Sequence, residues 1–264
     1  MAVRLVLMGG GRMGEALLEG LFAAKWATPE DVVVVEPLGG RRDQLAERYA
    51  GLRVDTAPHP ADGAIVAVKP NDVAAACGAL HDARPRRVLS IAAGVTIDAL
   101  ERALPAQTPV VRAMPNTPAL VGQGAAALAA GTHATDDDVA WAEEILQAVG
   151  VTVRVPEKLL DAVTGLSGSG PAYVFLVAEA LVEGGVAAGL PRDISETLAV
   201  QTLKGAATLL AESTESAEQL RAAVTSPGGT TAAGLRSLER AATRSAFIEA
   251  VLAATHRSRE LGAG

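Results

Sequence analysis

Met8-Gly9-Gly10-Gly11-Arg12-Met13-Gly14 is the stretch that decides how the first half of this chain folds. Gly9, Gly11 and Gly14 satisfy G-x-G-x-x-G, after an apolar strand, Val3 to Leu7, and at the opening of a helix. The helix runs from Arg12 to Lys25, with Met13, Leu17, Leu18, Leu21 and Phe22 recurring at helical spacing. In that setting Gly9 permits a tight turn, Gly11 lets the backbone approach a pyrophosphate, and Gly14 lets helix and strand pack closely. The helix N-terminus then faces the phosphates, so the segment reads as a dinucleotide cradle.

Working outward, Thr28-Pro29-Glu30-Asp31 is a turn and Val32 to Val35 a strand covered on both faces. Ala64 to Val68 and Val88 to Ile91 are further strands, with a helix from about Asn71 to Leu80 between them. Val110-Val111 and Ala125 to Leu128 are weaker strands. Thr135 followed by three aspartates caps a helix to about Val149, and Val151 to Val155 is the last strand. This alternation implies an open, mostly parallel sheet. After about Asp161 the pattern turns to alanine-rich helices, over Pro171 to Ala188, Arg192 to Ala211, Ser216 to Val224, and a broken Thr230 to Leu261. The fold class is therefore α/β followed by all-α, with a dinucleotide-binding domain over residues 1–160 and a helical domain over residues 161–264. The helices around 171–188 and 192–211 are apolar round much of their circumference, which points to an obligate homodimer.

A chain of 264 residues suits one or two domains, and 49% hydrophobic against 20% charged residues excludes disorder. With 23 basic and 30 acidic residues the net charge is −7, and both halves are acidic. No nucleic-acid stripe or polybasic membrane patch is expected. The single cysteine, Cys77, allows no internal disulfide, fits a reducing cytosol, and sits among alanines as a core residue. The opening residues lack the long apolar run of a secretory signal. The two charge-poor stretches, after Arg112 and after Asp161, contain PNTP and GLSGSGP and do not read as continuous apolar helices, so the expectation is a soluble, cytoplasmic protein. His59, His81, His133 and His256 are dispersed, so no metal site is expected, and no nucleophile elbow or Walker loop occurs.

Glu36 ends the second strand, where an acid accepts hydrogen bonds from the adenosine ribose and repels a 2′-phosphate, favouring NAD. Arg41 and Arg42 follow, either to hold a 2′-phosphate or as solvated residues at a helix start, so this pattern leaves NAD and NADP both open. Val68, Lys69 and Pro70, and then Ala92 and Ala93, follow strands beside the expected crevice. Two prolines, Pro115 and Pro118, make a rigid platform of Asn116, suited to the nicotinamide side. Two glycine-rich loops, Ser167 to Pro171 and Ser226 to Thr231, each precede a helix and offer backbone N–H groups to a small anion such as a carboxylate, or serve only as caps. No histidine or lysine stands out as an acid or base.

Taken in order, GGGRMG, VAVKP, SIAAG, RAMPNTPA, SGSGPAYVF and SPGGTT resemble the Δ1-pyrroline-5-carboxylate reductase family over nearly the whole chain. The resemblance implies reduction of a cyclic imine to L-proline by NADPH or NADH. It also implies a Rossmann-type domain followed by an all-helical dimerisation domain, and dimers that assemble into decamers. By motif, Thr231 hydrogen-bonds the ring nitrogen and is placed to supply a proton, while Ser226, Gly229 and Thr230 hold the carboxylate. Gly9, Gly11, Arg12, Met13, Val68, Lys69, Pro70, Ala92 and Ala93 match cofactor-binding segments, and Asn116 the nicotinamide contact. Glu36 departs from the small polar residue of many NADPH-preferring members. In the family the SPGGTT loop faces the cofactor of the other subunit. A protonated imine brings its own proton, which fits the missing acid or base. A general cyclic imine reductase shares the two-domain plan, as does a β-hydroxyacid dehydrogenase, but the latter needs a lysine that GSGPAYVFLVAEALVEGG lacks. A non-catalytic nicotinamide-binding sensor leaves SPGGTT and MPNTP without a purpose.

Overall fold

The computed structural model describes residues 3–262. Strands β1 (Val3–Met8), β2 (Val32–Val35), β3 (Arg53–Asp55), β4 (Ala61–Val66), β5 (Arg87–Ser90), β6 (Val110–Met114), β7 (Gly124–Ala130) and β8 (Gly150–Arg154) form one sheet. Their order is β3-β2-β1-β4-β5-β6-β7-β8. All neighbours run parallel except β6 and β7, where Val111 lies opposite Ala130. The link between those two is a 3-10 turn over Thr117–Val121 closed by Gly122 at φ 69°, too short for a parallel crossover.

Helices α1 (Arg12–Ala23), α2 (Gly39–Arg48), α3 (Val73–Ala83), α4 (Ile97–Ala103) and α5 (Asp136–Gln147) flank the sheet. Alternation along the strands splits the core into two layers. Leu5, Leu7, Val34 and Ile65 pack with Leu17 and Leu21 of α1 and Ile145 of α5. Val6, Val33 and Val66 pack on the other side with Cys77 and Leu80 of α3 and Leu100 of α4. Both faces are thus apolar, which is why β2 is four consecutive buried valines.

Beyond β8 come α6 (Leu160–Val163), a π turn over Thr164–Gly168, α7 (Gly170–Ala187), α8 (Arg192–Glu212), α9 (Ala217–Ala223), α10 (Thr230–Arg240) and α11 (Thr243–Gly262). The break expected in the last helical stretch lies at Ala241-Ala242, where Ala242 takes φ 52°. The chain divides into two compact units, one of residues 1–169 with 252–264, the other of residues 170–251. The change of composition near Asp161 precedes this division because α6 packs against β6 and β7, with Leu160 fully buried, and Ser167 O in the π turn accepts from Asn116 after β6.

One expectation is corrected. The stretch after Asp161 is continuous helix, running over Glu157–Ala187, and its most apolar 18 residues have mean hydropathy 1.3, which makes it long and apolar enough to cross a membrane by length and composition. The glycine-serine segment does not break it because the π turn absorbs it, Ser169 N–H donating to Thr164 O at 2.8 Å. Ser167 to Pro171 is accordingly no loop and offers no fresh helix start.

In the second unit α7 and α8 are joined through Gly189 at φ 100°, and Ser195 Oγ donates to Val182 O at 2.8 Å. Its buried hydrophobic residues are Val182 and Ala199, whereas Phe175, Leu176, Leu198, Leu209 and Ile248 are exposed.

Candidate active site

The strand order reverses between β1 and β4, so the carboxyl ends of those strands border a crevice, the place where doubly wound sheets bind ligands. Three glycines shape its floor. Gly9 takes φ 103°, and a Cβ there would lie 2.8 Å from Ala67 O; its N–H donates to Val35 O at 2.9 Å. A Cβ on Gly14 would lie 2.4 Å from Gly9 O, so α1 packs as closely as the turn allows. At Gly11 an added Cβ would meet no atom within 4 Å, and Gly11 caps α1 without a side-chain bond. The first-turn N–H groups of Arg12 and Met13 therefore face open space beside a positive helix end. These residues fit a pyrophosphate.

Val68, Lys69 and Pro70 follow β4, Ala92 and Ala93 follow β5, and Asn116 follows β6, all on the same edge of the sheet. A cleft of about 720 Å³ lies there, bordered by Lys69, Pro70, Ala93, Thr96, Thr164 and Arg257. Thr96, Thr164 and Arg257 are additions to the residues singled out in the sequence. Only Thr96 carried a local signal, as the N-cap of α4 accepting from Ala99 N–H at 3.2 Å. Arg257 comes from the end of α11, some 160 residues away in sequence, which no local pattern reveals.

Asn116 is buried and spends its amide on the protein. Nδ2 donates to Ser167 O at 3.1 Å, and Oδ1 accepts from Ala125 N–H at 2.8 Å. The side chain thus ties the end of β6 to β7 and to the π turn. Buried Arg112 supports the same wall, pairing with Glu157 at 2.8 Å; the same Glu157 oxygen accepts from Ile97 N–H at 2.7 Å.

Glu36 is buried at the end of β2 and accepts from Gly10 N–H and Leu38 N–H. Arg41 and Arg42 lie in the first turn of α2 and turn inward. Arg41 donates to Gly10 O and pairs with Glu15, and Arg42 donates to the carbonyls of Glu36 and Pro37. Burial works against ionising Glu15, yet Arg41 and Arg48 beside it hold its carboxyl below the usual range.

Ser226, Gly229, Thr230 and Thr231 belong to the second compact unit, and the residues above to the first. Gly228 takes φ 71°, Gly229 N–H donates to Ser226 O at 3.0 Å, and α10 begins with no side-chain cap. A Cβ on Gly229 would fall 2.4 Å from Ser226 Oγ. Glycine there keeps the serine hydroxyl folded over the helix start, with half-buried Thr231 in the first turn. The loop combines hydroxyls, first-turn N–H groups and a helix dipole, a set suited to a carboxylate with a polar neighbour. Among the described residues no group of His, Cys, Asp or Glu could hold a metal ion.

Residues 157–261 match the family model described as pyrroline-5-carboxylate reductase dimerisation, and residues 4–94 that described as NADP oxidoreductase, coenzyme F420-dependent. The pyrroline-5-carboxylate reductase of Synechocystis is 48% identical, the alignment covering 99% of each chain. The solved structure of the Coxiella burnetii pyrroline-5-carboxylate reductase superposes with a TM-score of 0.92 at 36% identity, covering 99% of both chains. The Plasmodium falciparum pyrroline carboxylate reductase, solved with NADP bound, gives 0.84 at 30% identity, covering 98% of both.

Proposed function

The chain belongs to the pyrroline-5-carboxylate reductase family, and on that premise we infer that it reduces Δ1-pyrroline-5-carboxylate to L-proline with NADPH or NADH, the last step of proline biosynthesis. The observation that carries this is the full-length match, which spans the glycine cradle and the SPGGTT loop together. Bound at the cradle, the reduced nicotinamide supplies a hydride to the imine carbon.

The chain's own residues position and polarise. Gly9, Gly11, Arg12 and Met13 hold the pyrophosphate by close backbone approach and first-turn N–H groups. Val68, Lys69, Pro70, Ala92 and Ala93 border the ribose and nicotinamide, with Asn116 bracing the wall behind them. Ser226, Gly229 and Thr230 hold the substrate carboxylate through hydroxyls and the start of α10. Thr231 Oγ1 hydrogen-bonds the ring nitrogen and keeps its proton in place while the carbon is attacked. The working unit in this reading is a homodimer whose helical domains cover each other's apolar faces, with the SPGGTT loop of one subunit at the crevice of the other. Such dimers assemble into decamers in the cytoplasm. The domains take the roles of nucleotide binding over residues 1–160, and dimerisation and substrate binding over residues 161–264.

Absorbance of the reduced nicotinamide, followed with pyrroline-5-carboxylate and each dinucleotide, tests the reaction; no oxidation of either by a folded dimer sinks it. Thr231→Ala is expected to lower kcat by about tenfold or more while nicotinamide binding survives. An unchanged kcat removes Thr231 from its role.

A further inference from the structure

We propose that Glu36 makes this enzyme prefer NADH to NADPH, an inference that rests on the reductase reading and names which dinucleotide it takes. Glu36 directly follows β2 at 7% exposure, at the position where an acid in this kind of fold reaches the adenosine ribose. Its Oε2 accepts from Gly10 N–H and its Oε1 from Leu38 N–H, both at 3.0 Å. The carboxylate is pinned between the glycine turn and the connection into α2, and it cannot swing away from an arriving nucleotide. Each oxygen keeps a further lone pair to accept a hydroxyl hydrogen. A ribose 2′-hydroxyl donates to it. A 2′-phosphate presents acceptor oxygens and negative charge, and is repelled.

Of the two arginines that would offset this repulsion, Arg41 is engaged at all three nitrogens and Arg42 at one. Arg41 uses Nε on Gly10 O at 2.7 Å, Nη1 on Gln44 at 3.3 Å, and Nη2 on Glu15. Arg42 places Nη1 on Glu36 O at 3.1 Å and Pro37 O at 2.7 Å, which ties its guanidinium to the backbone just after the strand. Gly10 leaves no slack either, since a Cβ there would sit 2.6 Å from Leu45 Cδ1 and 3.3 Å from Glu36 Oε2. The loop is braced around its acid.

Steady-state kinetics with pyrroline-5-carboxylate should give a kcat/KM at least about tenfold higher with NADH, the value of one charge-assisted hydrogen bond gained or lost. Glu36→Ser should remove most of that ratio through the KM values, and Arg42→Ala should leave it in place. Because Glu36→Ser also unpairs two backbone N–H groups, a second measurement uses the unaltered protein: ADP-ribose should compete with the cofactor about tenfold more tightly than its 2′-phosphorylated form. Wild-type preference for NADPH, equal inhibition by the two nucleotides, or a ratio abolished by Arg42→Ala overturns the role of Glu36. Absence of turnover with either dinucleotide overturns the reductase reading instead, and the inhibitor ratio then decides Glu36 by itself.

Discussion

Asn116 joins two segments through one amide, donating to Ser167 O and accepting from Ala125 N–H, at 9% exposure. Asn116→Ala leaves a part-buried donor and acceptor without this partner, at a cost of about 1–3 kcal/mol in urea unfolding. Cys77, fully buried among the residues of α3, has its thiol pushed up to about 11 by burial. The folded state therefore favours the neutral thiol. That contribution is complete below pH about 9 and is lost as the pH rises through about 11. Stability of the wild type should fall across that window more steeply than that of Cys77→Ala, and thiol reagents should label the protein only on unfolding. The partners at these sites show what a sequence conceals. The acid at Glu36 and the rigid platform at Asn116 are visible as residue types in context. Their acceptors and donors are backbone groups of Gly10, Leu38, Ala125 and Ser167, which no residue letter announces.

Elements are legible to the extent that they bury a periodic face. α5 presents Val139, Ala142, Ile145 and Leu146 to the core and opens on Thr135, whose Oγ1 and N–H both engage Asp138. Thr135→Ala should cost about 1 kcal/mol in the same unfolding measurement, with the sheet unchanged. α2 offers one buried residue, Leu45, among glycines, an alanine and polar or charged residues, β3 is three residues long, and α4 seven, so none sets up a recognisable period. The π turn was hidden for the opposite reason. Glycine, serine and proline over Gly165 to Pro171 spell a loop in most contexts, and only wider i to i−5 bonding lets a helix pass through them. The antiparallel seat of β7 likewise follows from a connection length, not from its alanines.

At the scale of the whole molecule, the second unit alone does not bury a core of ordinary size. Leu198 and Leu209 on α8, and Phe175 and Leu176 on α7, stand exposed, as a dimerisation domain requires. Leu198→Glu places a charge on that face; light scattering should find a monomer, and on the proposed placement of the SPGGTT loop turnover should fall with it. The helical run over Glu157–Ala187 adds a demand that belongs to the life of the chain before assembly. Only 6% of its most apolar window is buried within one chain. A protomer not yet paired thus presents a long, largely apolar helical segment to water. Only a second copy withdraws that face from water, so folding and assembly are coupled through the concentration of the chain. Thermal midpoints should accordingly climb with protein concentration, and scarcity of the chain should itself shorten its lifetime.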